Sequence, residues 1–226
     1  MRNYGLSFIM LGLFLNGCQS MPDQRVMAVN AGIQSKQMQY STAQARPNQI
    51  DFLKIKTTEQ RPVVALVLGS GGARGYAHIG AIEVLEQAGI QPDMIVGTSA
   101  GSIVGSIYAS GKPAIELRNI ALSMKANDVR DFRIDLKGFF DGKKVEDYVN
   151  LQVDNVPLQD LKIPMFVVAT DLKEGKKVVF NYGNTGQAVR ASVAIPSMFI
   201  PTMIEEKEYV DGGLVSPVPV DVAREL

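Results

Sequence analysis

Residues 94–111 read Met-Ile-Val-Gly-Thr-Ser-Ala-Gly-Ser-Ile-Val-Gly-Ser-Ile-Tyr-Ala-Ser-Gly. Met94-Ile95-Val96 predicts a short strand, and Ser102–Ser110 predicts a helix closed by Gly111. Between them stands Gly97-Thr98-Ser99-Ala100-Gly101, a serine flanked by glycines where a strand gives way to a helix. That pattern is the nucleophile elbow. Gly97 and Gly101 permit the sharp turn that lifts the Ser99 hydroxyl clear of the sheet. The helix N-terminus behind Ser99 favours negative charge at its oxygen. Gly101, Gly105 and Ala109 form a small-residue stripe, so the helix can lie close against the sheet. The competing reading is a packing turn rich in glycine and serine, with no chemistry.

Working upstream, Val63–Leu68 is a continuous apolar run that predicts a strand buried on both faces. Gly69-Ser70-Gly71-Gly72-Ala73-Arg74-Gly75 follows, then a predicted helix over Tyr76–Ala88 that Gly89 stops. Strand, glycine turn and helix N-terminus in series aim backbone N–H groups at negative charge. A nucleotide cradle of the G-x-G-x-x-G kind is one reading. Counted from Gly69, however, the sixth position is Arg74. Asp93 lies at the interval for a ribose-binding acid but ends no convincing strand, and the phosphate-loop lysine is missing. The other reading is an oxyanion hole, in which N–H groups of Gly71, Gly72 and Ala73 stabilise a developing alkoxide. The loop alone does not choose; the serine elbow downstream favours the second.

A serine hydroxyl needs a group to take its proton. The chain has one histidine, His78, and none after Ser99, which excludes the Ser, acid, His order of α/β-hydrolases. His78 sits in the predicted helix after the glycine loop and is expected to be structural. A carboxylate remains. Glu208-Tyr209-Val210-Asp211-Gly212-Gly213 ends a strand-like run, and the two glycines let the backbone turn sharply. By itself Asp-Gly-Gly is only a turn signal. A carboxylate held near Ser99 could serve as base if burial raised its pKa.

Gly-Ser-Gly-Gly-Ala-Arg-Gly, Gly-Thr-Ser-Ala-Gly and Asp-Gly-Gly, in that order, resemble the three signatures of the patatin-like phospholipases. Gly75–Gly80 and Arg190–Pro196 are further stretches similar to that family. The resemblance covers roughly residues 63–226. It implies an α/β fold, a three-layer α/β/α sandwich with a mostly parallel central sheet. It also implies a Ser–Asp dyad without histidine, with Ser99 as nucleophile, Asp211 as base and the loop Gly71, Gly72, Ala73, Arg74 as oxyanion hole. Arg74 is expected to support that loop or to meet a phosphate head group. The activity implied is hydrolysis of lipid carboxyl esters, of phospholipase A or lysophospholipase type. The alternatives are a general esterase, thioesterase or acyltransferase with the same dyad, or a non-catalytic lipid-binding envelope protein. Related domains continue beyond a helix such as 217–226 with at least one more strand, so a C-terminally truncated form is an expectation.

The rest of the chain is read around that frame. Helices are expected over Pro113–Lys125, Lys143–Val153 and Thr185–Ala194, and strands over Pro164–Thr170 and Val178–Tyr182. Asn127–Asp141 reads as a connection packing its aromatics inward in preference to a mobile cap. Ile195–Pro201 reads as an apolar loop that lines an acyl pocket or plugs the core. At the N-terminus, Arg2 and the apolar run Tyr4–Leu15 predict a signal peptide over residues 1–17. The run is shorter than the ~20 residues a membrane span needs. Leu15-Asn16-Gly17-Cys18 resembles a bacterial lipobox, which makes Cys18 the expected lipidation site and membrane link. Gln19 after it favours the outer membrane of a Gram-negative cell envelope. Residues 18–60 are polar and aperiodic and read as a lipidated flexible tether, with the domain at 61–226.

The 226 residues are 46% hydrophobic and 20% charged, the balance of a globular domain. Lys+Arg and Asp+Glu both total 23. Without a basic excess, a nucleic-acid partner is not expected. A nucleotide ligand is not expected either, and without a His/Cys ligand cluster no metal or organic cofactor is implied.

Overall fold

The computed structural model of the chain describes residues 39–40, 55, 58 and 61–226. The expected signal peptide, Cys18 and most of the tether fall outside the described residues. A two-residue strand β1 (Gln39–Tyr40) comes first, then β2 (Ala65–Leu68), the glycine loop and helix α1 (Tyr76–Gln87). Strand β3 (Met94–Thr98) leads into α2 (Ala100–Ala109), α3 (Ala114–Ser123) and the single turn α4 (Ala126–Val129). A hairpin of β4 (Phe132–Asp135) and β5 (Gly138–Phe140) precedes α5 (Lys143–Gln152). Strands β6 (Met165–Asp171) and β7 (Lys176–Phe180), helix α6 (Thr185–Val193), strands β8 (Thr202–Ile204) and β9 (Lys207–Asp211), and helix α7 (Val220–Glu225) complete the order.

The strands β1-β7-β6-β3-β2 lie side by side, and β9, carrying β8, joins β6 as well. β2, β3 and β6 are mutually parallel; β7 and β9 pair antiparallel to β6. The central strands are buried on both faces, as continuous apolar runs require. Ile95, Met165, Val167, Ala169, Val178 and Phe180 face one core, walled by α1, α2, α3, α5 and α6. Met94, Val96, Phe166, Val168 and Val179 face the other, closed by Val222 of α7. Helices therefore cover both faces, and the molecule is the three-layer α/β arrangement expected. Each fully buried aliphatic or aromatic side chain contributes about 1.5–3 kcal/mol, and successive residues of β3 and β6 supply the two cores in turn.

Two sequence expectations change. The first helix turn after the elbow is Ala100-Gly101, not Ser102, because β3 runs through Thr98 and Ser99 itself occupies the cap position. The segment 127–141 does not turn its aromatics inward: Phe132 is 70% and Phe139 56% exposed. Consecutive residues in a strand point to opposite faces. Phe140 takes the inward face against Phe199, with centroids 5.6 Å apart, so its neighbour Phe139 must point out. β8 begins at Thr202, just past the loop 195–201, in residues for which no element was expected.

The decisive feature for the site is one edge of β6. Its first half pairs with β3, as far as Thr98↔Val168. Its second half pairs with β9, beginning at Ala169↔Asp211. β3 and β9 thus approach the same edge from opposite directions and stop next to each other.

Candidate active site

Ser99 follows Thr98 where β3 leaves that edge. Its backbone takes φ 54° and ψ −120°, a left-handed conformation costly for a residue with a side chain. The strain is held from several sides. The Ser99 N–H donates to Ser192 Oγ at 2.8 Å, and Ser192 Oγ donates on to Val168 O at 2.6 Å. Ser99 O accepts from Ser102 N at 2.8 Å and Ser102 Oγ at 2.6 Å. Thr98 Oγ1 donates to Ser216 O at 3.0 Å. Close packing supplies the rest: a Cβ on Gly101 would stand 2.1 Å from Leu68 O, and one on Gly97 2.7 Å from Gly101 O. Only glycine at both positions lets α2 start against the ends of β2 and β3.

Asp211 is the last residue of β9. Its N–H donates to Ala194 O at 2.9 Å, and its carbonyl accepts from Thr170 Oγ1 at 2.8 Å. These bonds fix the backbone and leave the carboxylate to the site. Asp211 Oδ2 accepts from Ser99 Oγ at 2.6 Å, and Oδ1 accepts from Gly213 N at 2.6 Å. The first distance is that of a charge-assisted O–H···O⁻ bond. Both residues are buried, Ser99 at 5% and Asp211 at 6% exposure. Burial pushes the Asp211 carboxyl above the usual carboxylate range, while the bonds from Ser99 and Gly213 pull it back only in part.

The glycine loop forms a 3-10 turn over Gly72–Gly75 leading directly into α1. Gly72, with φ 55°, and Ala73 line the same cavity as Ser99. Gly71 and Arg74 do not line it. The Arg74 N–H donates to Gly71 O at 3.1 Å, so that amide is already engaged, and the Arg74 side chain is exposed. His78 lies at 2.9 Å from Gly69 O through Nε2, which must carry the proton to donate to a carbonyl. It ties α1 to the start of the loop, the structural role expected of it. Asp93 is bound by the Arg61 guanidinium, at 2.7 and 2.8 Å, and by Val64 N at 2.8 Å. The Arg61 bond holds its carboxyl below the usual range, and its oxygens brace the start of β2.

Beside the dyad opens a cavity of about 360 Å³, within the range of small-molecule sites. It runs along α2, touching Ala100, Ile103, Val104 and Ile107 on successive turns. Since the rise is about 1.5 Å per residue, Ile107 lies some two turns from Ser99. Leu117 and Ile120 of α3, Met124 just after it, and Val145 and Tyr148 of α5 form the opposite wall. Ile195 and Phe199 contribute the lip, so the loop 195–201 lines the cavity, one of its two expected roles. Sequence reading missed Ser192, the support of the elbow. No signal in the sequence set it apart, since the helix also carries Thr185, Gln187 and Arg190. It also missed the cavity walls on α3 and α5, whose residues look like ordinary core. Among the described residues no group of His, Cys, Asp and Glu could hold a metal, and no helix is long and apolar enough to cross a membrane.

A parallel-cored α/β sheet with a strained serine at a strand–helix elbow, bonded to a buried carboxylate over an apolar cavity, defines a class of serine–aspartate α/β proteins. Within that class the chain belongs to the patatin-like phospholipase family, whose model matches residues 66–224. It is 40% identical over 162 residues to an uncharacterised NTE family protein of Mycobacterium tuberculosis, covering 70% of this chain and 45% of the relative. It is 32% identical over 185 residues to mouse patatin-like phospholipase domain-containing protein 6, covering 78% of this chain and 14% of that protein. The chain therefore spans less than half the length of these curated relatives. VipD from Legionella pneumophila shares the fold, with a TM-score of 0.51 and 15% identity over 66% of this chain and 45% of that one.

Proposed function

We propose that this chain hydrolyses carboxyl esters of lipids, as a phospholipase A or lysophospholipase, with Ser99 as nucleophile and Asp211 as general base. The observation that carries the reading is the buried 2.6 Å hydrogen bond from Ser99 Oγ to Asp211 Oδ2, at the head of an apolar cavity. Family membership supports lipid as the substrate class. As Ser99 Oγ attacks the ester carbonyl, its proton passes to Asp211 Oδ2. The carbonyl oxygen becomes an oxyanion facing the amides of Gly72 and Ala73, beside the N-terminus of α2. Collapse expels the alcohol, which takes the proton from Asp211 and leaves the acyl group on Ser99. Water then gives its proton to Asp211 and attacks the acyl-enzyme; collapse releases the fatty acid, and Asp211 returns the proton to Ser99 Oγ. Through both steps the acyl chain lies in the cavity along α2. The strained backbone at Ser99 holds the hydroxyl in attacking position before substrate arrives.

The N-terminus extends the proposal: Cys18 carries lipid and holds the domain on the cell envelope, in the outer membrane. Incorporation of labelled palmitate that disappears in Cys18→Ser is the expected result.

The enzymatic reading is tested with a fluorogenic medium-chain ester and a labelled phospholipid. Ser99→Ala and Asp211→Asn are expected to lose at least about 10²-fold in hydrolysis while remaining folded. A fluorophosphonate should label the parent and leave Ser99→Ala unlabelled. Cleavage of the small ester alone would favour a general esterase. An unlabelled, inert parent would falsify the enzymatic reading.

A further inference from the structure

We infer that the β4–β5 hairpin is a membrane-docking wedge that seats the mouth of the cavity on an anionic phospholipid surface. The hairpin is built firmly and still shows its apolar side chains to solvent. Phe139 N and Phe140 N both donate to Met198 O at 3.0 Å, and Ile200 N donates to Phe140 O at 2.9 Å. A Cβ on Gly138 would fall 2.4 Å from the Phe199 carbonyl carbon, so the two backbones are in direct contact. The Phe140 ring packs on Phe199, which also lines the cavity that opens at Ser99. Phe139 nevertheless points outward, Phe132, which meets the edge of the Phe140 ring on the other face, is still largely exposed, and Leu136, at the turn, is fully exposed. Met198 and Ile195, exposed beside them, carry the apolar surface to the lip of the cavity. Large aromatics on a rigid element, continuous with an apolar cavity, fit an occupant that is apolar below and polar above.

The charges on the hairpin select the kind of surface. Asp131 and Asp141 are turned to the protein, whereas Asp135 stays exposed at the turn. Asp131 accepts from Gly142 N and Lys144 N, and Asp135 accepts from Lys137 N. Asp141 pairs with Arg190 and Arg133. Arg130, at the foot of the hairpin and on the cavity wall, has no ion-pair partner among the described residues. Arg133 and Lys137 are paired on one side and exposed on the other. Inserted aromatics with cations at headgroup level are the arrangement of interfacial binding to anionic lipid. The choice of lipid as occupant rests on the lipid-ester reading, but the insertion is measurable without catalysis.

The chain has no tryptophan, so Leu136→Trp makes a single fluorescent reporter at the hairpin tip. It is placed in the full chain carrying Ser99→Ala and Cys18→Ser, so that neither turnover nor an acyl anchor contributes. Vesicles of phosphatidylglycerol and phosphatidylcholine should shift its emission to the blue, and brominated acyl chains should quench it. Phosphatidylcholine alone should give a weaker response. Adding Phe132→Ser and Phe139→Ser should weaken vesicle partitioning by about tenfold or more. In the catalytically intact chain the same two serines should slow hydrolysis of vesicle lipid and leave turnover of a soluble short-chain ester unchanged. An unshifted emission with vesicles present overturns the inference. So does an emission already blue-shifted without lipid, or a dimer in solution lost on Phe132→Ser/Phe139→Ser, which would assign the patch to a second copy. If insertion is seen but no ester is cleaved, the docking surface stands and the enzymatic reading falls.

Discussion

Asp211 is buried with no cation beside it among the described residues, and its carboxylate is restrained by two hydrogen bonds. Its raised pKa means that the folded protein holds this proton more tightly than the unfolded chain does. The stability this group contributes is therefore full below its unfolded pKa and is lost as pH rises through the higher folded value. Asp211→Asn removes the ionised form, so it should raise the melting temperature at neutral pH, and the gain should shrink as the pH is lowered. Differential scanning fluorimetry across pH checks this; a lowered midpoint at pH 7 would contradict it. The same shift governs activity. The base works only when deprotonated, so the acid limb of kcat should lie above the usual carboxylate range. Ser192 acts at one remove. Ser192→Ala leaves the Ser99 N–H without an acceptor inside the protein and should cost about 1–3 kcal/mol. If Ser192 positions the nucleophile, kcat falls while KM stays nearly constant; a purely structural role would lower stability alone.

Among the elements, α2 has two separate duties. Its N-terminus bears on the elbow, while Ile103, Val104 and Ile107 line the cavity. Its small-residue stripe packs on the sheet as expected: a Cβ on Gly105 would lie 3.0 Å from both Ile95 and Met165. The two faces can therefore be tested independently. Val104→Phe projects a larger ring into open space and should change stability little. It should shift the preference in a series of p-nitrophenyl esters toward shorter acyl chains. An unchanged chain-length profile would place the acyl group elsewhere.

At the scale of the molecule, β6 is the member on which the site depends. It pairs with β3, β7 and β9, and it alone brings Ser99 and Asp211, far apart in sequence, to one edge. Gly212 lets β9 end there: a Cβ on it would meet Val168 O at 2.2 Å. Phe166 on β6 is fully buried in the second core. Phe166→Ala should cost about 3–5 kcal/mol. Because the dyad exists only across the assembled sheet, ester turnover and far-UV circular dichroism should then be lost at the same lowered temperature. Separate transitions would show that the site survives without β6 in place.

The sequence by itself determined the strand–turn–helix order, the serine elbow and the glycine loop, because each is written in neighbouring residues; the three-layer fold was implied only by the resemblance those motifs carry. Apolar runs mark buried strands, and glycines mark turns that side chains cannot make. It also narrowed the base to a carboxylate, since one histidine upstream leaves no other choice in the usual order. Only the tertiary structure decided that Asp211 reaches Ser99, because that contact depends on β3 and β9 ending on the same edge of β6. The acyl cavity was likewise illegible, since a residue lining a void and one filling a core have the same chemistry. The outward aromatics of 127–141 escaped for a related reason. Hydrophobicity says that a side chain gains by leaving water, but not which surface will cover it; here that depends on Phe140 taking the one inward place against Phe199.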